Sequence, residues 1–92
     1  MNEFILEKEV IVRDEIGLHA RPAARLAQAA QEFAAQVWLQ YGSMRVDAKS
    51  VLDILSLSAA RGATLTIGAE GADAERALTA LEEIFNSFTR GE

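Results

Sequence analysis

Apolar and polar residues alternate from Phe4 through Leu6 to Val10 and Val12, the period of a half-buried strand. Lys8 stands where the pattern calls for another apolar side chain. From Arg21 the period lengthens. Ala23, Leu26, Ala27, Ala30, Phe33 and Ala34 recur at three- and four-residue spacing, which predicts an amphipathic helix. Alternation returns at Val37, Leu39 and Tyr41 and again at Met44, Val46 and Ala48, with Gly42-Ser43 as the turn of an antiparallel hairpin. Trp38 has the opposite parity to Val37 and Leu39. It is expected on the other face of the sheet, as an exposed aromatic or a partly buried edge residue.

The segment Ser50 to Leu57 is ambiguous by period alone. Ser50 with Asp53 three residues on fits a capping box and favours a short helix, which Arg61-Gly62 ends. Leu65, Ile67 and Ala69 predict a fourth strand, after which Gly71-Ala72-Asp73 turns and caps a last helix. That helix carries Ala74, Ala77, Leu78, Leu81, Ile84, Phe85 and Phe88 on one face, with Gly91 just past its end. The order is βαββαβα, an α+β chain. Short connections between its strands favour an antiparallel sheet with one face under helices and the other open.

Composition narrows the function classes. With 92 residues, half of them apolar, the chain is expected to form one domain, 1-92, with a core that needs no staples. The absence of cysteine excludes thiol chemistry and disulfides, and one histidine makes no structural metal site. A formal charge of −5 with dispersed Lys and Arg argues against nucleic acid or an anionic membrane as partner. Neither the start, Met1-Asn2-Glu3-Phe4, nor any apolar run reads as a targeting or membrane-spanning segment, so a soluble cytoplasmic monomer is expected. No nucleotide-binding loop and no carboxylate pair beside the histidine is evident, so neither a cofactor nor enzymatic turnover is expected. Asp14 and Glu15 read as a solvated turn.

The candidate chemistry lies in Gly17-Leu18-His19-Ala20-Arg21-Pro22-Ala23, where the strand has given way to the first helix. Gly17 permits a tight or left-handed backbone. Pro22 costs little in a first helical turn, whose amides have no intrahelical partner. Those amides and the helix dipole favour an anion and a neutral, nucleophilic imidazole. Arg21 can add a charge-assisted fork to phosphate oxygens. A lone histidine at a helix start is often only a polar surface group; the conjunction of these residues carries the reading of His19 as a phosphoryl acceptor.

This motif resembles the active-site signature of the HPr family, the histidine phosphocarriers of the phosphoenolpyruvate-dependent phosphotransferase system. Asp47-Ala48-Lys49-Ser50-Val51 resembles the family's second signature at the family's spacing, and the resemblance covers nearly the whole chain. It implies an open-faced β-sandwich with a four-stranded antiparallel sheet, order 1423, covered on one face by three helices. It further implies that His19 is phosphorylated on Nδ1 by enzyme I and passes the group to enzyme IIA domains of sugar transport. Arg21 would then balance phosphate charge, with Gly17, Ala20 and Pro22 in support. Val51, Leu52 and Leu55 match the family's apolar docking patch, although some of the three must pack into the core.

Ser50 matches a serine that, in many relatives, a dedicated kinase phosphorylates, recruiting a transcription regulator. As a simple helix cap it is worth about 1 kcal/mol. Asp53 replaces the glycine or lysine usual at its place in the family and would repel a phosphate on Ser50. Ser50 is therefore expected to be mainly structural. Three functions stay open: a sugar-branch carrier, a nitrogen-branch or regulatory carrier, and a phosphorylation-independent interaction module. The presence of both His19 and Arg21 speaks against the third.

Overall fold

The first alternating segment forms strand β1 (Ile5–Ile11) and the first helical stripe α1 (Ala20–Gln31) in a computed structural model whose described residues are 5–87. The hairpin follows as β2 (Gln36–Tyr41) and β3 (Met44–Asp47), then α2 (Val51–Ser56), β4 (Thr64–Glu70) and α3 (Ala74–Ser87). The sheet is antiparallel throughout, in the order β1-β4-β2-β3 expected for an open-faced sandwich. Phe4, Phe88 and Gly91 lie outside the described residues.

Register assigns each side chain to a face. Ile5 pairs with Glu70 and Ile11 with Thr64, while Gln36 meets Glu70 on the other side of β4. Val10, Val37, Leu39, Leu65, Ile67 and Ala69 therefore share one face, where they are buried beneath Leu26, Ile54, Leu81 and Phe85 of the helices. Each fully buried side chain of this size stabilises the fold by roughly 1.5–3 kcal/mol. Lys8 shares the parity of the core face but sits on an edge strand, so its stem reaches out to Glu82 of α3 at 3.3 Å. An inward-facing charge on an edge also discourages pairing with a second sheet.

Helix α1 stops at Gln31, short of the predicted stripe: Ala34 is exposed, and Ala35 is buried in its place. The cause lies on another element. The Asp73 carboxylate accepts hydrogen bonds from the amides of Ala34 at 2.9 Å and Ala35 at 2.8 Å. Instead of capping α3 with its side chain, Asp73 starts that helix with its carbonyl and uses its carboxylate to turn the chain from α1 into β2.

Trp38 also departs from expectation. It does face the open side of the sheet, yet it is only 9% exposed. Its indole packs against Gly68, its partner on β4, where an added Cβ would clash with the ring. Above it, the Arg45 guanidinium sits 4.7 Å from the ring centroid, held by two 3.1 Å bonds to the Gln40 side chain and reaching towards Glu7. Backbone, indole and guanidinium make a three-layer stack, in which the half-exposed Arg45 cation over the indole adds about 0.5–1 kcal/mol.

Gly68→Ala should destabilise the protein by about 1–3 kcal/mol, as overpacking does, read as a lowered midpoint in urea unfolding. The Ala34 amide foremost, with the amides of Ala35 and Asp73 and the Arg76 charge, outweighs desolvation and lowers the Asp73 carboxyl below 3.8. A carboxyl lowered on folding contributes stability that is complete above its unfolded value and lost as pH falls through the folded one. Asp73→Asn should therefore flatten the acid limb of the stability profile below about pH 4, as measured by urea titrations across pH.

Candidate functional site

Between β1 and α1 the chain makes a tight loop that places its polar groups by local hydrogen bonds. The Asp14 carboxylate accepts the Ile16 amide at 2.8 Å, and the Asp14 carbonyl accepts the Gly17 amide at 2.9 Å. Gly17 adopts φ +91°, and a Cβ there would meet the Ala59 carbonyl at 2.7 Å. Only glycine satisfies both conditions. The neighbouring Leu18 amide donates to that same Ala59 carbonyl at 3.0 Å, which ties the loop to the segment after α2.

His19 is the N-cap residue of α1, in extended conformation, and its side chain takes no part in capping. Its carbonyl accepts the Ala23 amide at 3.0 Å and so begins the helix. Ala20, Arg21 and Pro22 form the first three helical positions, with Pro22 buried and Ala20 and Arg21 exposed. This first turn contains no acidic residue, whereas α2 and α3 carry Asp53 and Glu75 in theirs. The α1 start is thus the one of the three whose dipole no carboxylate of its own first turn already satisfies.

The imidazole is about a quarter exposed, at 27% of its side chain, but Nε2 is buried. Nε2 faces Oδ1 of Asp14 at 3.4 Å. The ring therefore turns Nε2 inwards. Asp14, expected in a solvated turn, is instead 1% exposed. Nothing in the local Asp14-Glu15-Ile16-Gly17 pattern signals that burial. Ile16, three residues before the histidine, was likewise not singled out by the sequence and is 71% exposed.

The second motif sits elsewhere on the helix pair. The Lys49 carbonyl accepts from the side chain of Gln31, at the end of α1, and the Lys49 ammonium donates to the Phe33 carbonyl. Ser50 is therefore tied to the far end of α1, whose span from His19 to Gln31 is about 18 Å. Ser50 caps α2, its Oγ accepting the Asp53 amide at 3.2 Å. The expected box is only half formed, since the Ser50 amide donates to the Asp47 carbonyl. Of the three apolar docking candidates, Leu52 is exposed, while Val51 and Leu55 are half-buried against the core.

Comparison with known proteins places this geometry. A family profile described as the PTS HPr component phosphorylation site matches residues 6–87. The phosphocarrier protein HPr of Neisseria meningitidis serogroup A is 31% identical over 84 residues, covering 91% of this chain and 94% of its own length. The crystal structure of HPr-C-His from Thermoanaerobacter tengcongensis superposes with a TM-score of 0.88 at 38% identity, over 95% of this chain and 97% of that one. An HPr crystal structure from Bacillus anthracis gives 0.82 at 41% identity, over 87% and 95% of the two chains.

Gly17→Ala should destabilise the protein by about 1–3 kcal/mol, through the strained φ and the clash with Ala59. It should also shift the ring resonances of His19, read in a two-dimensional proton–nitrogen spectrum.

Proposed function

The chain belongs to the HPr family of the phosphotransferase system, and from that membership we propose that it accepts a phosphoryl group on Nδ1 of His19 from phospho-enzyme I and delivers it to enzyme IIA domains. The observation that carries this reading is the imidazole itself: it occupies the N-cap position of α1 without capping, with Nε2 turned inwards. A phosphoryl group on Nδ1 would stand before the amides at the helix start, where an anion is favoured. Arg21, at the second helical position, would answer its charge.

A carrier of this kind needs no substrate pocket, because each partner brings the other half of the site. It is consumed and regenerated stoichiometrically and is not a catalyst with turnover. No helix among the described residues is long and apolar enough to cross a membrane, which suits a cytoplasmic carrier that works as a monomer. Val51, Leu52 and Leu55 contribute to docking unequally, with Leu52 offering the most apolar surface. Ser50 serves first as the cap of α2. Phosphorylation by a kinase would have to displace its Oγ from the Asp53 amide and set a dianion close to the Asp53 carboxylate.

Incubation with enzyme I and labelled phosphoenolpyruvate should give an acid-labile label on the protein, absent in His19→Ala. A label that resists acid or survives that substitution would overturn the assignment.

A further inference from the structure

Two polar groups at this site are buried and without a hydrogen-bond partner: Nε2 of His19 and Oδ2 of Asp14. The two side chains face each other, with Nε2 3.4 Å from Oδ1. That is a few tenths of an ångström beyond an ordinary N–H···O bond, and a charge-assisted one is shorter still. A buried polar atom left without a partner carries its full desolvation penalty, so two such atoms on facing side chains require an explanation. Turn formation alone does not supply one. The Ile16 amide uses a single lone pair of Oδ1, and an asparagine would make the same bond.

We propose that Asp14 is a positioning residue for phosphoryl transfer at His19: its buried carboxylate holds the ring proton on Nε2, presents the lone pair of Nδ1, and balances the positive charge the ring acquires. The proposal rests on the reading of His19 as the phosphoryl acceptor. The Nδ1 lone pair attacks the phosphorus of the phosphohistidine donor, and the donor's N–P bond breaks with its electron pair remaining on the donor imidazole. The His19 ring then bears phosphorus on Nδ1, hydrogen on Nε2 and one positive charge. That charge draws Nε2–H and Oδ1 together into a charge-assisted bond. When the group moves on, the N–P bond breaks, its pair stays on Nδ1, and the ring is neutral again. The Nε2 proton never leaves. Both transfers thus begin and end with the same tautomer, which a carrier serving two enzymes in succession requires.

The test uses the whole protein with Asp14→Ala and Asp14→Asn. Long-range proton–nitrogen spectra of the unphosphorylated wild type should give His19 as the Nε2–H tautomer. Asp14→Ala should mix the two tautomers and slow phosphorylation by enzyme I at least tenfold. Asp14→Asn keeps the turn and a carbonyl acceptor; it should retain the tautomer while losing part of the rate, a split that a purely structural role would not produce. An Nδ1–H tautomer in the wild type, or full rate with an unchanged tautomer in Asp14→Ala, would overturn the proposal. If Asp14→Ala does not fold, the wild-type tautomer and the asparagine variant decide the question. Failure of wild-type His19 to take any label would defeat the carrier reading alone, since the tautomer measurement needs no phosphate.

Discussion

A single methyl group has no room between Gly17 and the backbone of Ala59 and Ala60, and most of what is distinctive about the site follows from that closeness. The left-handed Gly17 allows the Leu18 amide to reach the Ala59 carbonyl, so two loops separated by the hairpin and α2 become one backbone contact. Asp14 lies buried in the same loop, ahead of the start of α1. Ser58, the one described non-glycine residue with positive φ, at 52°, lies immediately before Ala59. A serine in that conformation costs about 1–2 kcal/mol, strain accepted on the side of the contact that carries no chemistry.

Elements whose signal is local were legible in the sequence. The Val37, Leu39 and Val46 alternation located the hairpin, and the Ala77, Leu81 and Phe85 stripe located α3. The junction from β1 to α1 was legible too, because Gly17 and Pro22 each have a strong backbone preference. The failures share a different cause. Ala34 left the helical stripe because Asp73 holds its amide from across the chain, and Trp38 was covered by Gly68 and Arg45 from neighbouring strands. Asp14 is the sharpest case. Its own neighbourhood is that of a surface turn, yet the folded chain buries it beside the histidine.

The helix starts divide the electrostatic labour of a chain with a net charge of −5. In α2 and α3 an acidic side chain in the first turn already answers the dipole; the first turn of α1 carries none. The Asp14 carboxylate lies on the Nε2 side of the imidazole, at 3.4 Å.

The stack of Gly68, Trp38 and Arg45 has a practical side. Trp38 is the sole tryptophan of the chain, and it lies across the sheet from the helices and from His19. Gly68 of β4 and Arg45 of β3 pack against it, so its environment changes when those strands part. The molecule thus contains an intrinsic fluorophore that follows integrity of the sheet, insulated by a layer of backbone from whatever docks or reacts on the opposite side.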